Sequence, residues 1–271
     1  MSKELHTYRD KDLNLYQVNS NYILLLQIYP GSFSYAVIYK NRLSAWAEDC
    51  DLKLLSDPAE EHDLLSYDYK HIVVGLNASG FTLMPNVLFN ADKVADIAYF
   101  LDVKSNEKVF TQPLDDDNQI IYKTEESVTE TAQKFGLEKA VYIGKGWITA
   151  IANSNPPAYN IYININKIQA SILYFAGGKV RFYNIFEFNT PDELAYYASL
   201  VTKELNLQPA NINLVLSGDT TLGDKNTVCL ANFFNGVEMN LTQILDLPIE
   251  ISSYQILSLA ALSLCVSSEV F

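Results

Sequence analysis

One pattern occurs twice along this chain: three β-rich runs joined by tight turns, then a helix and a buried strand. A sequence that repeats such a unit is expected to fold as two related halves. The first copy has apolar or aromatic runs over 22–28, 33–39 and 43–48, punctuated by Pro30-Gly31-Ser32 and Lys40-Asn41-Arg42. In the second, Tyr159, Ile161, Ile163 and Ile165 alternate with Asn160, Tyr162, Asn164 and Asn166, which is the period of a strand. Runs over 169–175 and 180–188 complete that meander around Gly177-Gly178. Thr190-Pro191-Asp192-Glu193 is a capping box with proline at the first helical position, and Leu194, Tyr197, Ala198, Val201 and Leu205 form one apolar face. A buried strand is expected over 212–216. The break at Ser154-Asn155-Pro156-Pro157 places the boundary between halves 1–155 and 156–271.

The rest of the first half is readable in the same way. An acidic connector over 49–68 leads to short strands at 72–76 and 81–84. Asn90 caps a helix whose Val94, Ile97, Ala98 and Leu101 recur on one face. Asp115-Asp116-Asp117-Asn118 reads as a hairpin turn between strands at 108–114 and 119–123. A further helix, with Val128, Ala132 and Phe135 inward, stops at Gly136.

Charge narrows the partners. With 32 acidic and 19 basic side chains the formal net charge is -13, and neither half is basic, so nucleic acid and anionic lipid surfaces are repelled. Hydrophobic residues make up 49% and charged ones 19%, which leaves no room for a long disordered region. Cys50, Cys229 and Cys265 are odd in number and widely spaced, which fits buried thiols in a reducing cytoplasm and no metal site. The longest apolar run, 256–266, is shorter than the roughly 20 residues of a spanning helix and reads as a buried C-terminal helix, so no membrane insertion is expected.

The stretch 159–218 carries a more specific likeness. Its Gly177-Gly178-Lys179, Phe182-Tyr183-Asn184 and Phe186-Glu187-Phe188, followed by the Thr190-Pro191 helix, resemble an uncharacterised bacterial family, a domain of unknown function with the actin-like ATPase fold. That resemblance implies the α/β, ribonuclease H-like architecture of sugar kinases, heat-shock ATPases and actin: two duplicated α/β halves with mixed sheets.

It also implies where a nucleotide site would lie. Active members of the superfamily carry an Asp-x-Gly-x-Thr-like turn in each meander; the aspartate organises Mg²⁺ and the glycine lets backbone N–H groups reach phosphate. Here Gln27 stands where the first carboxylate belongs, with Tyr29 and Pro30 before Gly31-Ser32, and Asn164 and Asn166 replace the acid and the glycine of the second turn. Gly218, after the strand at 212–216, resembles the adenosine-side turn. Gln27, Ser32, Asn164, Asn166 and Gly218 are thus the positions of a degenerate nucleotide site. No catalytic residue and no metal ligand is identified, and no cofactor is expected, with weakly bound ATP or ADP as the alternative. Residues 218–227 mimic a phosphate-binding loop, but Asp224 separates Gly223 from Lys225 and spoils the register.

The expectation is a non-catalytic actin-like scaffold or protein-interaction module; the alternative is a nucleotide-binding switch or an ATPase with a non-standard site. Strand alternation sends Arg181, Tyr183, Ile185 and Glu187 to one face, the expected contact surface for an unidentified protein partner or a second copy.

Overall fold

The computed structural model describes residues 7–11, 13, 21–57, 60–69 and 71–266, the side chains of 60–62 excepted. They form two compact units. The first holds the described residues up to Gly146 together with the C-terminal segment from Leu259; the second is Trp147–Ser258.

In the first unit, β1 (Thr7–Arg9), β2 (Tyr22–Tyr29), β3 (Ser32–Tyr39), β4 (Arg42–Asp51), β5 (His71–Leu76) and, later, β9 (Ala140–Tyr142) build one six-stranded sheet in the order β1-β4-β3-β2-β5-β9. The meander β2–β3–β4 is antiparallel, and β5 lies parallel to β2 with Ile23 opposite His71 and Ile28 opposite Leu76. β2 is buried along almost its whole length, as a strand covered on both faces must be. Between β5 and β9 the chain adds a second, three-stranded sheet of β6 (Gly80–Pro85), β7 (Glu107–Pro113) and β8 (Asn118–Glu125) in the order β6-β8-β7, with helix α1 (Val94–Tyr99) linking β6 to β7. Helix α2 (Glu126–Gln133) follows and packs on β2 and β5 through a face that buries Val128, Thr129 and Ala132.

The small sheet is pinned by a charge cluster. Lys123 Nζ donates to Glu107 Oε2 (2.8 Å) and to the Asp102 carbonyl (2.9 Å), while Ser79 Oγ and Lys104 N donate to the same carboxylate at 2.6 and 2.8 Å. Both charged side chains are almost excluded from solvent, at 8% and 4% exposure. Burial alone pushes the Glu107 carboxyl up, but these hydrogen bonds outweigh it and hold the pKa down at about 2. A depressed carboxyl contributes stability above its unfolded pKa and loses it as pH falls. Glu107 should therefore stabilise the protein fully above pH 4.5 and progressively less towards pH 2, by about 2 kcal/mol after allowing for screening. Urea melts at pH 6, 3.5 and 2.5 test this: the gap between the wild type and Glu107→Gln should narrow as the pH falls, and a gap independent of pH would refute it.

The second unit starts within helix α3 (Lys145–Asn153) and ends within helix α6 (Ser253–Ala260). Its sheet of β10 (Asn160–Asn166), β11 (Gln169–Ala176), β12 (Lys179–Glu187), β13 (Asn213–Gly218) and β14 (Gly236–Met239) has the order β12-β11-β10-β13-β14, again an antiparallel meander with a parallel strand beside its first member. Between β12 and β13 runs helix α4 (Pro191–Glu204), and before β14 runs α5 (Lys225–Ala231). One sheet face, with Ile161, Ile163, Ile165, Leu214 and Leu216, buries against Leu194, Ala198 and Val201 of α4 and Leu230 of α5. Each such fully buried aliphatic contributes about 1.5–3 kcal/mol of transfer free energy. The expected cap forms, with its return bond one residue earlier: Thr190 Oγ1 accepts from Glu193 N (3.2 Å), and the Glu193 carboxylate accepts from Asn189 N (2.6 Å), the residue before the cap.

The compact units therefore divide the chain elsewhere than at 155/156. Helix α3 goes with the second unit from Trp147 onward, and the C-terminal apolar run returns to the first, where Leu262 packs beside Gly75 of β5. A sequence repeat does not reveal this, because either unit could bury those apolar side chains.

Candidate functional site

The first meander turn is Pro30-Gly31, between β2 and β3. Gln27, one strand turn before it, is buried, and its Oε1 accepts a hydrogen bond from the Tyr29 hydroxyl at 3.2 Å. Ser32 Oγ donates to Asp49 Oδ1 (3.3 Å), and Asp49 N donates to Ser34 Oγ (3.3 Å), so β4 closes over the turn.

The second turn, Lys167-Ile168, joins β10 to β11. Asn164 lies opposite Ser217 in the parallel pair β10–β13, and its Oδ1 accepts from Ser217 Oγ at 3.0 Å. That hydroxyl in turn accepts from the indole Nε1 of Trp147 at 3.2 Å, deep in the unit. Gly218 comes next, opposite Ile165 with φ +87°; after it Asp219 N donates to the Ile165 carbonyl (2.8 Å) and the Asp219 carboxylate accepts from Lys167 N (3.0 Å). Asn166, half-buried, ends β10 at this turn. The second unit thus brings Asn164, Asn166 and Gly218 to one end of its sheet, and Gln27 and Ser32 lie at the corresponding end of the first unit's sheet.

These residues do not fit a Mg²⁺ site at the positions the resemblance indicates. An amide oxygen carries no formal charge, and both are already engaged in hydrogen bonds within the protein. Among the described residues, no group of three or more His, Cys, Asp or Glu side chains is placed to hold a metal ion.

The loop that mimics a phosphate cradle has filled itself. Asp224 caps α5, accepting from Thr227 N (2.8 Å), Thr221 N (3.0 Å) and Thr220 Oγ1 (2.7 Å). Burial raises its pKa, yet these hydrogen bonds prevail and leave the carboxyl below its ordinary value. Donors that a phosphate-binding loop presents to its ligand are here taken by an internal carboxylate.

The row expected to form a contact surface is not exposed as a row. The β11–β12 register shifts between Tyr174 and Phe175, so Arg181 is an extra residue on β12 and the alternation inferred from sequence breaks there. Tyr183 is 7% exposed and lies against Trp147, with ring centroids 6.5 Å apart. Ile185 is half-buried; Arg181 and Glu187 are exposed. On the opposite face Phe182, Phe186 and Tyr197 stack in succession at 6.5 and 4.7 Å. Trp147 of helix α3 covers Tyr183 on the face expected to be open, and nothing in the β12 sequence announces a side chain from a helix that precedes the meander.

The cysteines conform in part. Cys50 is buried and desolvation pushes its thiol up to about 12, while Cys229 and Cys265 are half-buried. The Glu107–Lys123 pair and the Trp147–Ser217–Asn164 chain were not foreseen. The pair joins neighbouring strands of one hairpin, the chain joins a helix to two strands distant in sequence, and only the charge of Glu107 and Lys123 hints at either.

A model of a protein family matches residues 10–237, most of the sequence. The chain belongs to the DUF3822 family, proteins of unknown function. Among solved structures it is similar to a Bacteroides thetaiotaomicron protein of unknown function with an actin-like ATPase fold, at 19% identity and a TM-score of 0.75, covering 93% of this chain and 99% of that one. It is also similar to the PilM–PilN type IV pilus biogenesis complex, at 11% identity and a TM-score of 0.58, covering 92% and 98%. No curated protein matches. This DUF3822 member therefore has the actin-like ATPase fold, as the 159–218 motifs implied. Among its described residues no helix is long and apolar enough to cross a membrane.

Proposed function

We propose that the chain is a non-catalytic actin-like scaffold that works by holding a protein partner in a reducing cytoplasm. One observation carries the reading: at both meander turns the place of the metal-organising carboxylate is taken by an amide, Gln27 or Asn164, whose oxygen already accepts an internal hydrogen bond. Without an anionic ligand there, phosphoryl transfer loses the metal that supplies most of its electrostatic stabilisation. The PilM–PilN neighbour supports the binding half of the reading, since it is a complex of proteins on this architecture. The expected β12 contact row loses support, because Tyr183 is buried.

A second reading, a nucleotide-binding switch or ATPase taking ATP or ADP, is favoured by Asp49 and Asp219. Each places a carboxylate beside one meander turn, bonded to Ser32 and to Lys167 N. Turnover separates the two. With millimolar Mg²⁺-ATP, phosphate release should stay at the uncatalysed background; release above it that disappears in Asp49→Asn or Asp219→Asn would establish the second reading instead.

A further inference from the structure

Four large apolar side chains stand almost wholly in solvent at the two ends of α1: Val87 (91% exposed) and Leu88 (70%) before it, Tyr99 (83%) and Phe100 (85%) at its end. The helix has already spent its inward face, with Ala98 buried and Val94, Ile97 and Leu101 half-buried. The outward residues are therefore not a core stripe lacking its core.

They are also held in place. Asn86 N donates to the Asp117 carbonyl (2.7 Å), Asn86 Nδ2 to the Asp116 carbonyl (2.6 Å), and Leu88 N to the Pro85 carbonyl (2.9 Å), so the first pair rides on a turn tied to the β7–β8 hairpin. The second pair is fixed ring to ring, edge on, with centroids 6.0 Å apart. The two pairs flank a 3-10 turn, Ala91–Lys93, and the 6-residue helix α1 that follows it, which is about 9 Å long. Aromatic side chains bury roughly 150–250 Å² each, so the adjoining Tyr99 and Phe100 by themselves reach the size of an interaction patch rather than of scattered surface residues.

Charge says what would cover it. Between the two pairs the exposed Asp92 and Asp96 are one helical turn apart, Asp102 follows, and Lys93 is the lone base from 86 to 102. The acidic turn Asp115–Asp117 lies beside the Val87–Leu88 end through Asn86. Such a rim repels anionic lipid headgroups and attracts Lys and Arg.

We propose that this stripe docks a basic amphipathic helical segment of a partner protein, its apolar side chains seated on Leu88 and on Tyr99–Phe100 and its bases on the acidic rim. The inference rests on the scaffold reading and gives that partner a chemistry.

The test uses the full chain in 0.15 M salt, where charges more than about 8 Å apart are largely screened. The probes are a labelled 18-residue Leu/Lys amphipathic peptide, its Leu/Glu counterpart, and phosphatidylglycerol vesicles. The Leu/Lys peptide alone should bind. Tyr99→Ser with Phe100→Ser should weaken it at least tenfold without changing the protein's charge, Val87→Ser with Leu88→Ser should also weaken it, and Ile249→Ser, fully exposed elsewhere, should not. Absence of Leu/Lys binding, equal binding by both double variants, or binding of the acidic peptide would overturn the proposal, and vesicle binding lost in the double variants would assign the stripe to a membrane. ATP turnover would sink the scaffold reading without altering peptide binding, so the two can fail separately.

Discussion

Gly218→Ala should destabilise the second unit by more than about 3 kcal/mol, whereas Gly223→Ala, at nearly the same φ, should cost only about 1 kcal/mol. Both glycines sit in the left-handed region, at φ +87° and +89°, where any L side chain costs about 1–2 kcal/mol. They differ in what a Cβ would meet. At Gly223 there is open space within 4 Å; at Gly218 the new atom would collide with the Ile165 carbonyl oxygen, part of the backbone of the central strand β10. A backbone cannot rotate aside as a side chain can, so β10 and β13 must separate where Asp219 N also bonds to Ile165. The chain has two tryptophans, Trp46 in the first unit and Trp147 in the second, both buried, so Trp46→Phe leaves a fluorescence reporter for the second unit alone. Urea melts followed through Trp147 should separate the two variants, and equal losses would show that conformation alone set the requirement for glycine at 218.

Gly146→Ala should also destabilise, by about 2 kcal/mol or more, against the sign that helix propensity assigns. Gly146 lies in the first turn of α3, where alanine is normally favoured over glycine by about 1 kcal/mol. Its Cβ, however, would strike the Ala261 carbonyl and the Leu262 N–H of the C-terminal segment, again backbone atoms. Either that segment shifts from its packing beside β5 or the start of α3 does. Melts of a Trp147→Phe background followed through Trp46 report this on the first unit. A stabilised variant would show that the C-terminal segment yields cheaply.

Much of the architecture was legible because it rests on local pattern. Both meanders announce themselves through Pro30-Gly31, Lys40-Asn41 and Gly177-Gly178, and α4 through its Thr190 box. The hairpin at Asp115 forms as read, with Asp115 Oδ1 accepting from Asp117 N and Asn118 N. What stayed hidden depends on tertiary partners. The bulge at Arg181 has no composition of its own and takes Arg181 out of the row, while nothing in the β12 sequence shows that Trp147 covers Tyr183. The return of the chain's last apolar run to the first unit is a matter of docking, not of period. At the candidate site, sequence could show that Gln27 and Asn164 are uncharged, but not that each is tied into an internal hydrogen bond, nor that Asp224 occupies its own loop. On the proposed reading, those three bonds are the physical reason why the site would not turn over nucleotide.

Nucleotide binding probes that reason most directly. Thermal unfolding of the full chain should be followed with Mg²⁺ and ATP or ADP raised to several millimolar. Because the positions expected to hold metal and phosphate are neutral or internally occupied, the transition should not move. A ligand at 100 times its dissociation constant stabilises by about 2.7 kcal/mol, so a saturable upward shift of that order with either nucleotide would contradict the account.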